Sequence, residues 1–358
     1  MLIAPEHGAR RLRLYLSLTC CGAALLLTFV RFLEFDAPLT RFVRSLNDLQ
    51  IDHLHNPWLA QLSDVGNQVG KGESLLVVSG ALLVAGYTVR HASLKGAGWE
   101  TLIAHGIAGG LNTVLKHLIG RARPKFMHAG NSEFFPFGGS GWDSFPSGHS
   151  MATFAVATVL AVKFPKVRWL MILIALVVSV SRLFRASHYL TDIVAGAVFG
   201  VLIGTVVAHS WNDKRTALMS ALMTVTPPLA GLLAVMNTIG QSPLEAQAAT
   251  VFGQGGLFLV VTAMITYVLS KMRPALLPAS LSKSGTVGLM GLGIAICSGS
   301  AWVGLVIVLV CLGHWLHEEE PAQRADTVPT WPSEAAFGLG VLLTLLTMIE
   351  LRGALPMG

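Results

Sequence analysis

Ten runs of mostly apolar residues, each close to the length needed to cross a bilayer, follow one another along the chain. A spanning helix needs about 20 such residues, because every backbone N–H and C=O must be satisfied within the helix once water is excluded. The runs fall near Leu14–Phe32, Ser74–Val89, Thr101–Ile119, His149–Val162, Trp169–Arg182, His188–His209, Leu218–Ile239, Gly256–Leu269, Gly285–Leu312 and Ala336–Ile349. Within the ninth, Ser298-Gly299-Ser300 is a candidate break into two shorter helices. Only 12% of the residues are charged, against about 25% in soluble domains. A disordered chain or a nucleic-acid-binding domain with a basic polar surface needs the opposite balance. The expectation is an all-α polytopic membrane protein with no nucleic-acid partner.

The formal net charge is +6, from 25 Lys and Arg against 19 Asp and Glu. In a membrane protein this excess is first a topology signal, since basic residues collect in cytoplasmic loops. With the N-terminus inside, Arg90, Lys95, Lys163, Lys166, Arg168, Lys214, Arg215, Lys271, Arg273 and Lys283 all fall on the cytoplasmic side. The acidic Glu318-Glu319-Glu320 falls outside. Lys116, Arg121, Arg123, Lys125, Arg182 and Arg185 break the rule together, at neighbouring span ends. A clustered violation points to function. Arg10, Arg11 and Arg13 precede the first run without a small-residue cleavage site after it, which reads as an uncleaved signal anchor. Cys20, Cys21, Cys297 and Cys311 lie in apolar runs and read as packing residues, not a disulfide framework.

Between the first two runs, Leu33–Gly72 is too polar to cross. Leu39, Phe42, Val43, Leu46 and Leu49 recur at helical spacing and predict an amphipathic helix at the outer interface. Gly66-Asn67-Gln68-Val69-Gly70-Lys71 has phosphate-loop flavour, but the glycine spacing is one short and Gly72 stands where Ser or Thr is required.

Three segments concentrate polar residues that lipid would otherwise exclude. They are Lys116 to Pro124, Phe145-Pro146-Ser147-Gly148-His149-Ser150, and Ser181-Arg182 followed by His188-Tyr189-Leu190-Thr191-Asp192. All three sit at the outer ends of expected spans. Lys116 and Arg123 are two helical turns apart and, with Arg182, supply three cations to one small volume. Three cations call for a multivalent anion, and phosphate suits the planar fork of arginine. Ser147 and Gly148 precede the fourth span, so their backbone N–H groups would cradle an anion at a helix N-terminus. His188 and Asp192 stand four apart on a helix, close enough to touch. A carboxylate on one ring nitrogen fixes the tautomer and leaves the other nitrogen as a nucleophile. His149, from another span, can act as the general acid on the leaving oxygen. The scheme needs no metal or other cofactor. Arg121, Lys125 and Arg185 are expected to be solvated loop charges, or else to hold a second phosphate or a headgroup, and Gly196, Gly200 and Gly204 to permit close helix packing behind Asp192.

The spacings K-x6-R-P, P-S-G-H and S-R-x5-H-x3-D resemble those of the type-2 phosphatidic acid phosphatase superfamily, over about Leu14–Trp211. The resemblance implies a six-helix catalytic core with its site at the outer membrane face. By position it makes His188 the nucleophile that forms a phosphohistidine, Asp192 its activator and His149 the general acid. Lys116, Arg123, Ser147, Gly148 and Arg182 become the phosphate-binding set.

The expected organisation is a core over residues 1–212 and an extension of about four further spans over 213–358, which carries no nameable motif. The expected function is an integral membrane phosphatase in a bacterial cytoplasmic membrane. It would act on a lipid phosphate or diphosphate at the outer face, such as undecaprenyl diphosphate, phosphatidic acid, phosphatidylglycerol phosphate or a lipid A phosphate. A phosphotransferase passing the group to another acceptor, and a transporter of phosphorylated lipid, are the competing readings.

Overall fold

The computed structural model describes residues 5–48, 57–126, 133–209, 214–272, 283–318, 338–339 and 355. Among them, eleven α-helices carry almost all the regular structure: α1 (Pro5–Asp48), α2 (Pro57–Val69), α3 (Gly72–Thr88), α4 (Ala92–Ile119), α5 (Gly148–Lys163), α6 (Arg168–Phe184), α7 (Leu190–Ala208), α8 (Lys214–Ile239), α9 (Pro243–Met272), α10 (Lys283–Ser298) and α11 (Ala301–Glu318). The one extended pairing among the described residues is an antiparallel bridge between Arg121 and Phe134. The protein is a helical, polytopic membrane protein.

Four stretches are long and apolar enough to cross a membrane alone: Arg11–Val43, Pro165–Phe184, Leu190–Ala208 and Ala217–Ile239. Gln61–Val69 and Gly72–Thr88 qualify together as a fifth, bent by 56° at Val69–Gly72. This is fewer than ten, for readable reasons. At 1.5 Å per residue, the 16 residues of α5 give about 24 Å, short of a hydrocarbon core about 30 Å thick. In α4 the apolar character is diluted by Lys95, Glu100, His105, Lys116 and His117. The ninth run does break at Ser298–Ala301, where Gly299 takes a φ of +64° between α10 and α11. The tenth, Ala336–Ile349, falls almost wholly outside the described residues. The separate interfacial helix expected near Leu39–Leu49 is instead the end of α1, which runs unbroken through Pro38 to Asp48.

The chain forms two compact units: residues 33–221, and Met1–Phe32 together with Leu222–Gly358. In the second, Ser17 Oγ donates to the Gly313 carbonyl at 2.5 Å and Arg31 Nη2 to Asn237 Oδ1 at 3.3 Å. The four cysteines are free thiols.

The first unit contains α2 to α7 whole and all three polar segments. Its core packs Ala97, Ala104 and Ala108 of α4 against Met151, Ala155 and Val159 of α5 and Ile203 of α7. Gly196, Gly200 and Gly204 line the α7 face against α5, as expected. A Cβ on each would stand 2.6 Å from the Ser147 carbonyl, 2.5 Å from that of Met151 and 2.5 Å from that of Ala155. Backbone-to-backbone approach of this kind places the start of α5 against the start of α7.

Candidate active site

The loop from α4 to α5 is folded back on itself by its own backbone. α4 ends on Gly120 at φ +58°, where a Cβ would collide with the Phe135 carbonyl. The Phe135 N–H then donates to the Gly120 carbonyl at 2.6 Å, Arg123 N–H to Gly141 at 2.9 Å and Ser144 N–H to Arg121 at 2.9 Å. Arg121, Arg123, Asp143 and Ser144 are thereby brought side by side. Asn112 on α4 supports the other end by donating to the Pro146 carbonyl at 3.0 Å, close against Gly148, where any side chain would strike its amide.

His188 is 3% exposed. Its Nδ1 lies 2.7 Å from the Ser144 carbonyl and 3.7 Å from Asp192 Oδ2. A carbonyl can only accept, so Nδ1 carries the proton and Nε2 keeps the lone pair. The tautomer expected from the sequence is present, but the bond that fixes it goes to Ser144 and not to Asp192. Asp192, the third residue of α7, is fully buried and otherwise engaged. Its Oδ1 accepts from Arg121 Nη1 at 2.7 Å, and its Oδ2 from Ser144 Oγ at 2.5 Å and the Tyr189 N–H at 2.9 Å. It thus steadies both the histidine and the residue whose carbonyl holds the histidine.

Arg121 is not a solvated loop charge. It is 1% exposed, with Nη2 on Asp36 Oδ2 at 2.7 Å, Nη1 also on Thr191 Oγ1 at 2.6 Å, and its guanidinium 4.2 Å from the centre of the Tyr189 ring. Burial works against its charge, but Asp192 and Asp36 outweigh that and push its pKa above the ordinary arginine value. Arg185 pairs with exposed Asp64 at 2.5 Å, and Lys125 stands 4.8 Å from the Phe126 ring centre.

The cations expected to bind phosphate do converge. His149, at the start of α5, lies in the combined electrostatic field of Arg182, His188, Lys116 and Arg123. Its Nε2 is buried without a hydrogen-bond partner. Arg182 Nη1 donates to Asn67 Oδ1 of α2, and α2 packs closely enough that Gly66 and Gly70 face Ser181 and His149 directly. The polar stretch rejected as a phosphate loop therefore serves to place Arg182. Ser147 departs from expectation in one respect: its N–H is committed to the Asp192 carbonyl at 2.9 Å, while its hydroxyl caps α5 by accepting from the Ser150 N–H. That leaves the hydroxyl hydrogen of Ser147 and the N–H groups of Gly148 and His149 as donors at this helix start.

The family model of the PAP2 superfamily matches residues 97–216, the stretch that holds Lys116, Arg121, Arg123, His149, Arg182, His188 and Asp192. A lipid A 1-phosphatase of Rhizobium etli is 32% identical over 197 residues, 53% of this chain and 78% of that protein. The chain belongs to the PAP2 superfamily. A lipid A 1-phosphatase of Rhizobium johnstonii is 39% identical over 116 residues, 32% of this chain but only 44% of that protein. A phosphatidylglycerophosphatase B of Bacillus subtilis is 28% identical over 161 residues, 42% of this chain and 74% of that protein. This PAP2 member thus has phosphatases among its relatives, and the family model falls wholly within its first unit.

Asp36, Asp143 and Ser144 carry no motif signal in the sequence, and Asn67 stands there only in the stretch that falls short of a phosphate loop. Asp36 and Asn67 are too far along the chain to be tied to the motifs by spacing. Asp143 and Ser144 directly precede Phe145, and the only available signal was an acidic residue next to a cationic cluster.

Proposed function

We propose that this protein is a membrane phosphatase that removes a terminal phosphate from a lipid through a phosphohistidine on His188. The observation that carries the reading is His188 itself: a buried imidazole with Nδ1 tied to the Ser144 carbonyl, leaving the Nε2 lone pair to the cation-lined side. In the first step Nε2 bonds to phosphorus while the bond from phosphorus to the lipid oxygen breaks, and His149, protonated once the phosphate's negative charge offsets the cations around it, gives its proton to that oxygen. Lys116, Arg123 and Arg182, with the donors at Ser147 and Gly148, neutralise charge on the three equatorial oxygens. In the second step water attacks phosphorus, His149 takes its proton, the N–P bond breaks and inorganic phosphate leaves. Each step conserves charge on residues already present, and the chemistry is proposed to be metal-independent.

The names of the relatives support a lipid phosphate as substrate, with lipid A 1-phosphate first to try. The distribution of Lys and Arg supports a site on the outer face of a bacterial cytoplasmic membrane. The catalytic work is assigned to residues 1–212, with 213–358 as an extension. The test is phosphate release in detergent from lipid A 1-phosphate, phosphatidylglycerol phosphate, phosphatidic acid and undecaprenyl diphosphate, with EDTA present. Release by the wild type and none by His188→Ala supports the proposal. Loss of release on adding EDTA overturns the metal-free scheme. Release that requires an added acceptor indicates a phosphotransferase. Lipid transport that survives His188→Ala, without hydrolysis by the wild type, indicates a transporter.

A further inference from the structure

Two of the three cations expected to hold the substrate phosphate are already holding an anion. Arg123 Nε donates to Asp143 Oδ1 at 2.7 Å and Nη2 to Oδ2 at 2.6 Å, and Lys116 Nζ lies 3.7 Å from the same Oδ2. This is the bidentate fork that arginine offers a phosphate. While Asp143 occupies it, those two N–H groups serve nothing else.

Exposure shows which partner is free to move. The Asp143 side chain is 41% exposed, against 19% for Arg123 and 18% for Lys116. The cations are the more buried partners and the carboxylate sits on the open side. Asp192, the other carboxylate of the site, is sealed at 0% and locked by three donors, so it has no such freedom. Asp143 is also a full charge. The hydrogen bonds from Arg123 hold its carboxyl down at about 2, against the opposing effect of partial burial.

We propose that Asp143 is a specificity-determining residue: its carboxylate fills the Arg123–Lys116 subsite of the empty enzyme and yields it to a dianionic terminal phosphate but not to a monoanionic phosphodiester. The reason is a charge count. A terminal phosphate monoester carries about −1.5 to −2 at pH 7 and three strong acceptor oxygens. Exchanging a carboxylate for it adds negative charge among Lys116, Arg123 and Arg182 and an acceptor for each. A phosphodiester brings one charge and two free oxygens, no better than the carboxylate it would displace. Phosphodiesters are the bulk of membrane phospholipid, so a site of three bare cations would be occupied by headgroups that it cannot hydrolyse. The inference rests on the phosphate-binding role given to Lys116 and Arg123 under the proposed function.

Asp143→Asn in the full chain keeps the shape and one acceptor oxygen while removing the charge. Inorganic phosphate is the first probe, its binding followed by calorimetry in detergent without any turnover. The second readout is inhibition of lipid phosphate hydrolysis by phosphatidylglycerol in mixed micelles. The variant is expected to bind phosphate about tenfold more tightly, the scale of one charge-assisted hydrogen bond. Its KM should fall, and phosphatidylglycerol should become an inhibitor. In an Arg123→Ala background the gain from Asp143→Asn should shrink to about threefold or less. Unchanged or weaker phosphate binding in Asp143→Asn overturns the proposal and makes Asp143 an aligner of Arg123. Phosphate binding that depends on Lys116 and Arg123 in a protein with no turnover would sink the phosphatase reading alone. Hydrolysis with phosphate affinity indifferent to Asp143 would sink this inference alone.

Discussion

Arg121 reaches Asp192 at 2.7 Å with both side chains closed off from solvent, so the first polar segment grips the carboxylate of the third from beneath the site. The same guanidinium holds Asp36 of α1, whose Oδ1 accepts from the Thr191 N–H at 3.0 Å. One buried cation therefore serves two buried carboxylates, and neither has solvent to fall back on. Arg121→Met is expected to destabilise the fold by about 3–5 kcal/mol, the cost of leaving a buried partner uncompensated. Pairing it with Asp36→Asn should restore part of that, because one of the two stranded charges is gone. Unfolding midpoints in detergent decide the matter, and a single variant as stable as the wild type would show that Arg121 is dispensable.

The two histidines are predicted to separate by leaving group. His188→Ala removes the atom that attacks phosphorus, so turnover should vanish for every substrate. His149→Ala removes only a proton donor, a loss of about 10²- to 10⁴-fold. An aryl phosphate, whose oxygen leaves without a proton, should recover much of the rate in His149→Ala and none in His188→Ala. Rates for an alkyl and an aryl substrate on both variants check this, and equal deficits would refute the division of labour.

What was readable in the sequence, and what was not, follows from the range of each interaction. Lys116, Arg123, His149, Arg182, His188 and Asp192 are legible as candidates because short spacings on helix ends mark them. Gly196, Gly200 and Gly204 were found because a four-residue step is a helical face. The break at Gly299 was visible as a small polar interruption in an apolar run. The partner of His188 was assigned to Asp192 by helical spacing, whereas the nearer acceptor is a main-chain carbonyl of Ser144, which no side-chain pattern reveals. Arg121 lies outside the motif spacings, so the sequence offers it no partner and leaves it as a loop charge. Its carboxylates, Asp36 and Asp192, are 85 and 71 residues away, and only the fold brings them to it.

The Asp143 carboxyl sets a prediction on pH. Its folded-state value, about 2, lies below the ordinary carboxylate value of about 3.9. Such a group contributes stability that is fully present above the ordinary value and is lost as pH falls through the depressed one. Between pH 5 and 8 it neither gains nor loses a proton, so any change in its competition with phosphate there follows the second ionisation of the phosphate itself, which falls within that window. The advantage of Asp143→Asn over the wild type in phosphate affinity should therefore be widest near pH 5, where the probe is the monoanion that Asp143 resists, and narrow towards pH 8, where it is the dianion. A gap of constant size across the window would mean that Asp143 does not discriminate between the two charge states.

The packing of α7 on α5 gives a test of how tightly the site depends on its scaffold. A Cβ at Gly200 would stand 2.5 Å from the Met151 carbonyl and 2.7 Å from Phe154 Cβ, both on a helix with little room to retreat. Gly200→Ala should destabilise by about 1–3 kcal/mol, as overpacking of a dense core does. Gly106→Ala on α4 is the control: nothing lies within 4 Å of its new methyl, and the alanine favours the helix. It should leave the unfolding midpoint the same or higher. Gly196→Ala should show the effect in activity as well, because its Cβ would press on the Ser147 carbonyl at 2.6 Å. Ser147 is the cap of α5 and the neighbour of His149, so pushing it away shifts the general acid relative to His188. Loss of kcat in Gly196→Ala greater than in Gly200→Ala, at similar loss of stability, is the expected result. Equal kcat in the two would mean that the start of α5 is held by the loop alone.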